Sequence, residues 1–103
     1  MYKVVYSPQA STDLLFLVFY IAYSLDNPIA AKRLGDKISK KIEGLSIYPN
    51  RFIELKLGTH VYHRMPVDKY NVYYVVDEKQ KTVTVVDIWY GGKNIDEVAI
   101  TMN

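Results

Sequence analysis

The alternation of apolar and polar positions divides the chain into six segments. Tyr2 to Tyr6 is β-branched and aromatic and stops at Ser7-Pro8, which predicts a short strand. Ser7 suits an N-cap and Pro8 a first helical position, so a helix is expected to open there. Within it Ala10, Leu14, Leu17, Val18, Ile21 and Leu25 recur at helical spacing and predict one buried stripe. Phe16, Phe19, Tyr20 and Tyr23 fall largely outside that stripe, so the helix is apolar most of the way round. Such a helix is either deeply buried or carries a second partner surface, and one small domain has few layers with which to cover both faces.

Asp26-Asn27-Pro28 reads as a stop followed by a fresh start, a short link between two antiparallel helices. In the second helix Ala31, Leu34, Ile38, Ile42 and Leu45 form the apolar stripe. Arg33, Lys37, Lys40 and Lys41 recur on the other side at offsets of four, seven and eight. That basic stripe is either an ordinary solvated helix face, helped by Asp36 and Lys40 four apart, or a docking surface for RNA phosphate or an acidic partner.

Pro49 ends the helix, and Asn50 to Thr59 reads as a loop or irregular strand. Three strand-like runs follow. Val61 to Val67 contains Pro66, which favours an edge or a bend; Tyr70 to Asp77 is strongly β-prone; Thr82 to Tyr90 alternates threonine and valine. The order β-α-α-β-β-β predicts one α+β domain over residues 1–103, its helical hairpin packed on one face of a mainly antiparallel four-stranded sheet. The other sheet face is then expected to be partly open, with Tyr62, Arg64, Tyr70, Asn71, Tyr73, Tyr74 and Tyr90 on its strands.

Composition narrows the function classes. The chain has 103 residues, no cysteine and two histidines, so no disulfide framework, thiol nucleophile or thiolate metal site is available, and neither metal nor cofactor is expected. Thirteen basic and eleven acidic side chains give a net charge of +2, so any electrostatic footprint must be local. The longest apolar run, Leu14 to Tyr23, is ten residues, against about twenty needed to span a bilayer. Asp13 precedes it and no cleavage site follows closely, so a cytoplasmic protein is expected.

No glycine-rich phosphate loop, nucleophile elbow or paired-carboxylate arrangement is present, and Gly91-Gly92 lacks the helix opening of a dinucleotide site. The densest group of acid, base and phosphate-binding side chains is Glu54, Lys56, His60, His63 and Arg64. Cleavage of RNA through its own 2′-hydroxyl needs a base, a cation for the phosphorane charge and an acid for the leaving oxygen. Strand alternation puts Tyr62 and Arg64 on one face and His63 on the other, so the histidines and Arg64 converge only if the strand bends near Pro66.

Several stretches resemble, in order and spacing, the RelE/ParE superfamily of bacterial type II toxins. They are the opening Tyr2 to Pro8, the helix end Leu45-Ser46-Ile47-Tyr48-Pro49, Tyr62-His63-Arg64-Met65, Tyr70 to Asp77, and Tyr90-Gly91-Gly92-Lys93-Asn94-Ile95. The resemblance implies a growth-arresting toxin of the kind associated with plasmid stabilization, held inactive by a cognate antitoxin. It implies Phe16, Phe19, Tyr20 and Tyr23 as contacts for antitoxin or a second toxin copy, in a homodimer or a toxin–antitoxin hetero-oligomer. RNA-cleaving members act on mRNA in the ribosome and carry basic residues that Lys56, Arg64 and Lys93 match, with Tyr90 at the aromatic position. For that chemistry the resemblance implies Arg64 and Lys93 for charge, Lys56 for phosphate, and His63 or Tyr90 for proton transfer. Asn71 stands where such toxins commonly have an arginine, and a neutral amide cannot supply that charge. Members resembling ParE inhibit DNA gyrase without catalysis, and a non-toxic binding module is the third expectation.

Overall fold

A computed structural model describes residues 1–91. Strand β1 (Lys3–Tyr6) leads into helix α1 (Pro8–Phe19), which continues through a π-helical turn, Tyr20–Ser24. Helix α2 (Pro28–Glu43) follows, then two short 3-10 turns, Gly44–Ser46 and Pro49–Arg51. Strands β2 (Ile53–Leu57), β3 (His60–Val67), β4 (Tyr70–Asp77) and β5 (Thr82–Tyr90) complete the described chain. The sheet order is β1-β5-β4-β3-β2, with β1 parallel to β5 and the other pairs antiparallel.

The α+β class and the helical hairpin on a mainly antiparallel sheet are as the pattern predicts, but the sheet has five strands, not four. The fifth is β2, inside the stretch read as a loop or irregular strand: Ile53 to Leu57 alternates apolar and charged residues and pairs from Ile53 opposite Arg64 to Leu57 opposite His60. Because that ladder ends at Arg64, Pro66 needs a partner on the β4 side only, where it lies opposite Asn71, and the strand continues through it.

Both helices open on capped ends. The Ser7 hydroxyl accepts from the Ala10 N–H at 3.0 Å, and the Asn27 side-chain oxygen accepts from the Ala30 N–H at 3.1 Å, each with proline following. Ala10, Leu17, Ile38, Ile42 and Leu45 bury their side chains against Met65, Val72, Tyr74, Val83, Val85 and Ile88 of the sheet. Leu25, assigned to the buried stripe, is instead exposed. The π-helical turn before it is wider than an α-turn and rotates it off the stripe.

A bulge in β5 sets which residues reach the core. Tyr73 lies opposite Asp87 and Tyr74 opposite Val85, so Val86 has no counterpart. The start of α1 satisfies the groups around it: the Ser7 hydroxyl donates to the Val86 carbonyl at 3.0 Å, and Asp13 accepts from the Ile88 N–H at 3.0 Å. Val83, Val85 and Ile88 thereby share the helix-facing side. Asp87 and Trp89 are turned to the other.

Candidate functional site

The side of the sheet away from the helices carries one cross-strand row, Ile53, Arg64, Tyr73 and Asp87, contributed by β2, β3, β4 and β5 in register. Asn71 and Trp89 are paired beside it, and Tyr62 is opposite Leu55. Tyr73 and Trp89 form a second apolar cluster with Leu55 and Val86. Ile53 and His60 are exposed and Arg64 is half-buried, but Tyr62, Tyr73, Asp87 and Trp89 are buried, so only the β2–β3 end of this face is open. Burial pushes the Tyr73 phenol above its ordinary pKa, an effect the Arg64 guanidinium and a hydrogen bond with Asn71 oppose and the Asp87 carboxylate reinforces.

The structure separates the residues matched to RNA cleavage. Arg64 is on the far face. His63 points the other way: it is buried, stacks on Tyr74 with ring centroids 5.1 Å apart, and its Nδ1 lies 3.1 Å from the Phe52 carbonyl. A carbonyl only accepts, so Nδ1 carries the proton, and the ring serves as a strut for the loop ahead of β2. Lys56, opposite Val61, is also on the side away from Arg64, at the sheet edge. Tyr90 shares the side of Ile88 and meets Tyr70 edge-to-face at 5.8 Å. Lys93 lies outside the described residues. No bend at Pro66 brings His63 round, because β3 pairs with β4 without interruption from His63 to Val67.

The other candidate surfaces are where the pattern puts them. Phe16, Phe19, Tyr20 and Tyr23 are all exposed, at 68%, 46%, 56% and 77%. Arg33, Lys37, Lys40 and Lys41 are exposed along α2. Their intrahelical help is absent, since Asp36 pairs with Lys32 at 2.8 Å rather than with Lys40. Lys37 instead reaches Asp68 in the β3–β4 turn at 2.6 Å.

Asp87 and Trp89 were not among the sequence candidates. The one signal for them is the doubled Val85-Val86 inside an otherwise alternating strand, the mark of the bulge that turns both residues to the far face.

A two-helix hairpin on a five-stranded sheet of this order, with Arg64, Tyr73 and Asp87 in a row across its second face, defines a small α+β fold. A chain of the chromosomal ParDE TA system from P. aeruginosa superposes with a TM-score of 0.73 at 14% identity, over 87% of this chain and 96% of that one. The toxin of the M. tuberculosis RelBE2 complex gives 0.67 at 20% identity, over 86% and 96%. The archaeal RelE–RelB complex from Pyrococcus horikoshii gives 0.63 at 19%, over 90% and 98%. No curated protein sequence matches. The model of the ParE toxin of type II toxin–antitoxin systems, parDE, matches residues 4–95, and the chain belongs to that family.

Proposed function

We propose that this toxin arrests bacterial growth by binding DNA gyrase, with no RNA-cleaving chemistry of its own, and that a cognate antitoxin neutralises it. The observation that carries this reading is the scattering of the catalytic set: among the described residues, Lys56, His63 and Tyr90 are not on the far face with Arg64, which lies in a row with the Asp87 carboxylate. A single arginine, with an acid two strands along the same row and Asn71 in place of a second arginine, is a poor stabiliser for a doubly charged phosphorane. Membership of the ParE family supports the same target. The uncharged aromatic face of α1 supports an antitoxin contact through Phe16, Phe19, Tyr20 and Tyr23.

Induced expression in bacteria tests the reading. DNA synthesis and plasmid supercoiling are expected to fall before protein synthesis does, and co-expression of the neighbouring antitoxin frame is expected to restore growth. An immediate stop of protein synthesis with intact supercoiling contradicts it, and growth at the normal rate favours a non-toxic binding module instead.

A further inference from the structure

On the helix side of the sheet, an open groove of about 450 Å³ runs beneath the N-terminal half of α2. Ile21 and Leu34 line its apolar part, and Arg33, Lys37 and Lys69 supply cations from α2 and the β3–β4 turn. Its one carboxylate, Asp68, is already held by Lys37 at 2.6 Å, and neither Arg33 nor Lys69 is ion-paired among the described residues. Lys40 and Lys41 extend the positive line along α2, each turn rising about 5.4 Å.

Tyr70 forms the end wall, meeting Tyr90 edge-to-face at 5.8 Å. Burial raises the Tyr70 pKa and the neighbouring Tyr90 raises it further, so two phenol rings meet at one end of a cationic channel. The wall is braced from behind: the Gly91 N–H donates to the Lys69 carbonyl at 2.7 Å, and a Cβ at Gly91 would lie 3.0 Å from that oxygen. Any side chain there would crowd the Lys69 carbonyl and push the turn back by a few tenths of an ångström.

We infer that this groove binds a single strand of nucleic acid, its phosphates against Arg33, Lys37 and Lys69 and its bases against Tyr70 and Tyr90. Cations alone would suit any polyanion. The ring pair favours a ligand with flat faces, because stacking on aromatic side chains is the sequence-tolerant part of single-strand recognition. The groove lies on the opposite side of the sheet from Arg64 and Asp87, so this surface is separate from the far-face row. The inference adds a direct nucleic-acid contact to the gyrase reading and does not depend on it.

The test is fluorescence anisotropy of a labelled oligo-dT dodecamer with the full chain at low salt. Saturable binding is expected, with a log–log salt slope of about −2 for three phosphate contacts on a single strand. The exposed pair R33Q/K69Q is expected to weaken it about tenfold and flatten the slope, while Lys79→Gln, in the β4–β5 loop outside the groove, leaves it unchanged. Tyr90→Ser, at an exposed ring, is expected to weaken dT binding about fivefold and leave an abasic dodecamer unaffected. D68N is expected to tighten binding by freeing Lys37. No binding at low salt, equal loss with Lys79→Gln and R33Q/K69Q, or an abasic strand held as tightly as dT would overturn the inference. The last result would leave an acidic protein segment as the occupant.

Discussion

Tyr74 illustrates how much of this molecule rests on single side chains. Its ring is fully buried and stacked on His63, and its hydroxyl donates to the Pro49 carbonyl, so two sheet residues hold the loop that turns from α2 into β2. Tyr74→Phe strands that carbonyl in the interior and is expected to cost about 1–3 kcal/mol in urea denaturation. Burial pushes the Tyr74 pKa up to about 12, only partly offset by Arg51. The unfolded chain ionises this phenol near 10, so between pH 10 and 12 the folded state holds the extra proton and stability falls as pH rises. Tyrosinate absorbance should show a phenol titrating near 12 in the native protein that Tyr74→Phe lacks. Arg64 is the residue at which the functional alternatives part. Arg64→Ala is expected to leave growth arrest within about tenfold of wild type, whereas loss of a transition-state cation costs about 10²–10³. The face assigned to His63 was legible in the sequence from simple alternation, because β3 has no bulge in its pairing with β4. The faces of Asp87 and Trp89 were not, because one extra residue in β5 inverts the alternation downstream of it.

The elements whose signals are local were read correctly from sequence, with bounds for β4 and β5 that coincide with the observed ones. Caps, prolines and β-branched runs act within a few residues, so their consequences appear in the sequence. Strand β2 depends on a partner across a turn, and Leu25 depends on a π-helical turn with no side-chain signature. The junction of α1 with the β5 bulge is the element-level feature that the fold most depends on. Ser7→Ala removes both the cap on Ala10 and the donor to the Val86 carbonyl, and is expected to cost about 1–2 kcal/mol in thermal or urea unfolding. Gly91→Ala is expected to push the β3–β4 turn away from the end of β5, read as faster hydrogen exchange at the position-91 amide with global stability little changed.

Across the whole molecule, charge and apolar surface are segregated. Helix α1 and its π-helical turn present an aromatic face without a charged side chain between Leu14 and Leu25, α2 presents cations, and the far sheet face holds a half-closed polar row. Among the described residues no helix is long and apolar enough to cross a membrane, so the exposed rings of α1 are not explained by a bilayer span. If they are the antitoxin contact, Phe16→Ser with Tyr23→Ser should abolish co-purification with antitoxin while growth arrest persists. Purified components decide whether the toxin inhibits without cleaving. Toxin added to a gyrase supercoiling reaction and, in parallel, to ribosomes programmed with a defined mRNA should block supercoiling and leave every mRNA 5′ end intact. New mRNA ends at the ribosomal A site, with supercoiling unaffected at the same toxin concentration, would contradict inhibition without cleavage.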